Sequence, residues 1–169
     1  MLSYNVRDLE HQAATVDGEL AADDPVWVDG DPRPDGPVRV TGRLSSAGPG
    51  RYYWNGHIEG AALMDCRRCL EPVAVSVADD VHAIFAESGD EVADDPDAYA
   101  LPVRAPVVDL RPAVREQWLL SAPAFAVCRD DCKGLCPKCG TELNAGACDC
   151  APETDLRMSA LRDLRVAPE

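Results

Sequence analysis

Apolar and polar residues alternate most clearly between residues 38 and 85. Val38-Arg39-Val40-Thr41-Gly42-Arg43-Leu44 puts Val38, Val40 and Leu44 on one side and charged or polar residues on the other. A period of two marks a half-buried strand. Ser45–Gly50 then supplies turn residues, Arg51–Met64 is a second β-rich run, and Val73–Phe85 a third, with Val73, Val75 and Val77 on one face. Three such runs joined by tight turns predict an antiparallel β-meander. Residues 3–9 read as a short strand or extended arm. After Asp109 the apolar period lengthens: Leu110, Val114 and Trp118 share one face of a helix predicted over Asp109–Ser121. Asp109 is placed to cap that helix, Pro112 fits its first turn and Pro123 stops it. A short terminal helix is predicted over 155–165, with Leu156, Ala160, Leu161 and Leu164 on one side.

Two acidic stretches interrupt this pattern. Residues 17–36 hold seven acids, three prolines and Trp27, which predicts a loop or weakly paired edge. Residues 87–97 hold six acids among Gly, Ser and Pro, and read as a solvated loop. The ordered acid spacing and bidentate Glu of a calcium loop are missing there. Aromatics are only 5% of the chain, so Val, Leu and Ala must build the core. The formal net charge of −14 disfavours binding to bare duplex DNA, which calls for a basic patch. The start lacks the basic and apolar regions of a secretory signal, and no run reaches the roughly 18 apolar residues of a membrane span. The expected location is the cytoplasm, where thiols stay reduced.

That compartment bears directly on the eight cysteines. They fall into four pairs: Cys66 and Cys69, Cys128 and Cys132, Cys136 and Cys139, and Cys148 and Cys150. Tetrahedral zinc sites draw their ligands as local pairs from separate turns, so four pairs predict two zinc ions with four cysteines each. Pro137 stiffens one turn, and Gly140 permits the left-handed backbone that a cysteine knuckle needs. Cys136, Cys139, Cys148 and Cys150 lie within fifteen residues and can close a ribbon-like site. Cys66 and Cys69 are then left to meet Cys128 and Cys132 across about sixty residues. Another distribution of the sulfurs, or one shared cluster, stays open from spacing alone. Arg67, Arg68, Arg129, Lys133 and Lys138 lie within or beside the pairs. They can offset thiolate charge and donate to sulfur, or offer phosphate a small basic face.

Nothing in the sequence points to a reaction. The pairs sit in turns, not at the start of a helix in a βαβ unit, as a redox Cys-x2-Cys would. His11, His57 and His82 are scattered, and His57 and His82 fall in strand-like runs. There is no nucleophile motif or Gly-rich phosphate loop, so the expectation is no catalytic residue and no small-molecule substrate. The fold class is α+β: an antiparallel β-meander or partial barrel, a packed helix and a C-terminal zinc-ribbon-like segment. The organisation is a β-rich core over 1–125 and a Cys-rich segment over 126–169, integrated as one domain.

A resemblance joins these parts. Cys66-Arg-Arg-Cys-Leu-Glu-Pro-Val, Leu119-Leu-Ser-Ala-Pro, Cys128-Arg-Asp-Asp-Cys-Lys-Gly-Leu-Cys-Pro-Lys-Cys-Gly-Thr-Glu-Leu-Asn and Cys148-Asp-Cys150 resemble the YceD family of large ribosomal RNA subunit accumulation proteins. Val6-Arg-Asp-Leu and Asp155-Leu-Arg-Met-Ser-Ala-Leu resemble its two ends, with Met158 where a Trp is common. The resemblance implies a non-enzymatic role in 23S ribosomal RNA synthesis, processing or stability, and in large-subunit assembly. The implied partner is large-subunit RNA or a basic ribosomal protein, which the acidic surface would attract. Two other roles fit the cysteines: a zinc-ribbon adaptor in a complex such as the transcription machinery, and a redox-sensing zinc-thiolate switch.

Overall fold

The computed structural model describes residues 2–150, and the helix expected over 155–165 lies outside them. The short strand or extended arm expected over residues 3–9 is a strand only at its start: β1 (Ser3–Asn5) leads directly into a helical turn and a half, α1 (Val6–His11). Asn5 accounts for the switch, because its side chain accepts from the Arg7 N–H at 2.9 Å and starts the helix.

The expected meander is present. β3 (Val38–Gly48), β4 (Arg51–Asp65) and β5 (Pro72–Glu87) pair antiparallel, with β2 (Ala14–Leu20) on the outside of β3. β2 is an edge, yet it is fully paired over seven register positions, from Ala14 opposite Leu44 to Leu20 opposite Val38. At the other edge, β6 (Ala98–Leu101) runs parallel to β5, so the five-stranded sheet is mixed. That strand was missed because four residues carry too little alternation to register. A separate pair joins β1 to β7 (Val107–Asp109).

One sheet face is buried through Val40, Leu44, Trp54, Ile58, Val77, Val81 and Phe85. Gly42 and Gly56 face each other across β3 and β4. Gly42 has φ +136°, and a Cβ on either residue would collide with the opposing backbone. The main helix, α2 (Arg111–Ser121), buries Leu110, Val114 and Trp118 as its period predicted. Its cap differs from expectation. Asp109 is held as the last residue of β7, Leu110 takes the N-cap position, and the Asp109 carboxylate accepts instead from the Arg111 N–H and guanidinium.

The acidic loop after β2 is tied down. Trp27 packs edge-on against Trp118 at 6.1 Å, and Trp118 Nε1 donates to the Pro32 carbonyl at 2.8 Å. Arg115 grips the buried Asp31 carboxylate with two hydrogen bonds of 2.7 and 2.9 Å. The second acidic stretch is partly ordered too: Arg51 holds Asp90 with two bonds of 2.8 Å, and Asp90 caps a 3-10 turn over Glu91–Asp94. In both loops some of the acids are structural partners of arginines.

Candidate metal centres

The turn between β4 and β5 is the first cysteine knuckle. Leu70 N–H donates to the Cys66 carbonyl at 2.8 Å, and Cys66 N–H donates to the Glu71 carbonyl at 2.8 Å. The same frame recurs at the second Cys-x2-Cys: Gly140 N–H donates to the Cys136 carbonyl at 2.9 Å, and Cys136 N–H to the Thr141 carbonyl at 2.9 Å. In each frame the residue after the second cysteine is left-handed, with φ +72° at Gly140 and +63° at Leu70. Each frame turns both sulfurs of its pair to one side.

The remaining cysteines close on these knuckles. After α2 the chain returns to the first, where Cys66 forms a parallel bridge with Ala126 and Arg67 N–H donates to the Ala126 carbonyl at 2.9 Å. This brings in Cys128 and Cys132. The sulfurs of Cys66, Cys69, Cys128 and Cys132 lie within 4.8 Å of one another, as do those of Cys136, Cys139, Cys148 and Cys150. The Cys66–Cys132 and Cys69–Cys128 Sγ separations are 3.9 and 3.6 Å. A disulfide needs about 2.05 Å. A tetrahedron with metal–sulfur bonds of about 2.3 Å has edges of about 3.8 Å. The donor set and its spacing therefore fit a four-thiolate metal site. Three sulfur-bearing residues of the first group are buried (Cys66, Cys69, Cys132), against only Cys136 in the second.

The electrostatics of the groups argue the same way. Burial opposes ionisation of Cys66, but N–H groups of Cys69, Arg68 and Cys128 outweigh it and lower the thiol to about 6. The Thr141 hydroxyl and N–H lower Cys139 to about 6. Cys128 is driven up to about 12 by burial and by the neighbouring Cys132 and Cys69 sulfurs. Cys150 rises to about 12 through Cys139 and burial. Each group thus favours some thiolates and holds a neighbour protonated, since adjacent negative sulfurs repel. A divalent cation at the centre would let all four ionise.

The five nearby cations are placed differently from one another. Arg67 lies over the Phe125 ring at 4.5 Å, and Arg68 Nη1 donates to the Asp130 and Cys132 carbonyls at 3.0 and 2.9 Å. Arg129 pairs with Asp131 at 3.3 Å, while Lys133 and Lys138 contribute backbone N–H groups, the latter lowering Cys136 after Cys139 does. Asn144 donates to a sulfur, its Nδ2 lying 3.4 Å from Cys132 Sγ. Thr141 Oγ1 lies 3.1 Å from Cys139 Sγ. Sequence reasoning missed both residues. Their signal was a hydroxyl and an amide following the knuckle in Cys139-Gly-Thr-Glu-Leu-Asn144. His57 and His82 stand on the open face of the sheet, bonded to Asp80 and Tyr53 and away from both groups.

Comparison with known proteins adds an independent line. The family described as "Large ribosomal RNA subunit accumulation protein YceD" matches residues 54–165. A maize protein described as large ribosomal RNA subunit accumulation protein YCED homolog 1, chloroplastic, is 27% identical over 142 residues, covering 67% of this chain and 48% of its own. An uncharacterized protein of Mycobacterium tuberculosis (strain ATCC 25618 / H37Rv) is 32% identical over 91 residues, covering 52% and 43%. The Arabidopsis thaliana protein of the same description as the maize one is 35% identical over 57 residues, 34% of this chain and 18% of its own. The matches thus span half or less of these relatives' lengths. No solved structure matches the chain.

Proposed function

The chain belongs to the family of the large ribosomal RNA subunit accumulation protein YceD, and on that premise we propose that it is a zinc-binding, non-enzymatic factor for 23S ribosomal RNA accumulation and large-subunit assembly. The observation that carries the zinc reading is that the four sulfurs of each group lie within 4.8 Å of one another, two separations in the first group matching the edge length of a tetrahedral thiolate site. Cys66, Cys69, Cys128 and Cys132 hold one ion, and Cys136, Cys139, Cys148 and Cys150 the other. Zinc suits the donor set because four thiolates in a tetrahedron match its coordination without redox chemistry.

In this reading the metals shape a surface. The first site draws ligands from both sides of residue 125, so the parts 1–125 and 126–169 work as one unit. The partner is large-subunit RNA or a basic ribosomal protein, and the net charge of −14 supports the latter contact. The setting is the cytoplasm, where thiols remain reduced. Among the described residues no helix is long and apolar enough to cross a membrane.

Two measurements test the proposal together. Elemental analysis of protein purified without added metal should give two zinc per chain. Depletion in the source cell should lower 23S RNA relative to small-subunit RNA, and the tagged protein should sediment with large-subunit precursors. Absence of zinc, or absence from every ribosomal fraction, overturns the corresponding half.

A further inference from the structure

Cys132 and Cys136 belong to different sulfur groups, yet only three residues separate them. What those residues touch joins the groups. Leu135 N–H donates to the Arg68 carbonyl of the first knuckle at 3.0 Å. Gly134 has φ +73°, and a Cβ there would stand 2.7 Å from that same carbonyl oxygen. On the other side, Leu143 N–H donates to the Gly134 carbonyl at 2.9 Å, and Leu135 bridges antiparallel to Glu142. The strand-like segment 134–135 is thus held between the first knuckle and the return arm of the ribbon.

Asn144 ends that arm, and its amide contacts the first site twice. Oδ1 accepts from the Lys133 N–H at 2.8 Å, and Nδ2 reaches Cys132 Sγ at 3.4 Å. The amide has one consistent orientation here. A peptide N–H can only donate, so the oxygen must face Lys133 and the NH2 then falls on the sulfur. A donor on sulfur favours the thiolate that a metal needs. Asn144 therefore serves the first site from within the second, and its position depends on the ribbon being folded back on itself.

We propose that the two four-cysteine sites are thermodynamically coupled, with Asn144 as the positioning residue: filling the Cys136/Cys139/Cys148/Cys150 site folds the ribbon, sets Asn144 on Cys132, and raises the affinity of the Cys66/Cys69/Cys128/Cys132 site. By linkage the first metal strengthens binding of the second by the same factor. The ribbon site fills first, because its ligands are local and close a short loop, whereas the first site must close about sixty residues. The proposal rests on the metal reading above and adds an order and an interaction to it.

The test is a Co²⁺ titration of the full chain, read by thiolate-to-cobalt charge-transfer absorbance and competed with zinc. The intact chain should take two ions. Cys148→Ser/Cys150→Ser, which disables the ribbon site, should leave one ion bound, with affinity lowered about tenfold or more. Asn144→Ala should keep two ions but weaken the first site about 10- to 100-fold. In Asn144→Ala, disabling the ribbon should change the first site less than it does in the intact chain. Asn144→Asp keeps an oxygen for Lys133 and turns the other toward sulfur, so it should weaken that site at least as much as Asn144→Ala. Unchanged circular dichroism and near-ultraviolet tryptophan signals show that the sheet survives in each variant. Two ions bound with first-site affinity indifferent to both the ribbon cysteines and Asn144 overturns the coupling and leaves the metal sites standing. No cobalt bound by the intact chain overturns the metal reading and the coupling with it.

Discussion

The two cysteine groups share a knuckle but differ in what surrounds it. At the second site a glycine, Gly140, takes the left-handed position with nothing within 4 Å of its would-be Cβ, and only one of its four cysteines is buried. At the first, Leu70 takes that position with its side chain largely exposed, and three of four cysteines are buried between the β4–β5 turn and the segment after α2. The ribbon relies on its own local sequence. The first site is imposed by tertiary structure, which holds a backbone that leucine disfavours. A local site specifies itself; a long-range site specifies the fold around it.

The sharpest way to break this comparison is to remove one site at a time. Cys66→Ser/Cys69→Ser opens a cross-link over about sixty residues, so the stability of the metal-loaded chain should fall by on the order of 4 kcal/mol. Hydrogen exchange should then quicken at the β4–β5 turn and throughout 126–135. Cys148→Ser/Cys150→Ser opens a much shorter loop and should cost about 3 kcal/mol or less, with faster exchange confined mainly to 132–150. Equal and co-extensive effects would erase the distinction.

Acid provides a second comparison, between the cysteine-bearing end and the loop after β2. Arg115 holds the Asp31 carboxyl below its usual range. A depressed folded pKa contributes stability that is present above the unfolded value of roughly 3.9 and is lost as pH falls through the folded value. Thiolate ligands take up protons as metal leaves, and that step comes at higher pH. Tryptophan fluorescence from Trp27 and Trp118 should therefore change only after zinc has been released to a chelating dye. Asp31→Asn should lower stability by about 1–2 kcal/mol near neutral pH, and more acid should not add to that deficit.

The smallest effects have opposite signs in the two knuckles. Leu70→Gly should stabilise the loaded chain by up to about 1 kcal/mol by releasing left-handed strain, while Gly140→Ala should cost about 1 kcal/mol. Thermal unfolding at saturating zinc reads both.

Much of this was legible in the sequence because it rests on local periodicity. Val38–Leu44, the β4 and β5 runs and the Leu110–Val114–Trp118 stripe announced the meander and the helix, and the four cysteine pairs announced two groups of sulfurs. What stayed hidden depends on contacts distant in sequence. β6 is a strand only because β5 offers it an edge, and Asp31 is held in place only because Arg115 arrives from 84 residues away. Asn144 looks like any ribbon-loop amide until the chain places it on Cys132. The cap of α2 moved from Asp109 to Leu110 because pairing with Ser3 claimed Asp109 first.

One further consequence comes from the length of β4 and β5. With 15 and 16 residues they form a hairpin about 45 Å from end to end. Arg51 and its grip on Asp90 brace the base, and the first knuckle crowns the tip. The arm works as a boom that sets its cysteine tip at the far end from the Arg51–Asp90 brace. Dye pairs near residues 49 and 67 would report its reach directly, and a shortened β4–β5 register would draw Cys66 and Cys69 away from Cys128 and Cys132 and open the first site.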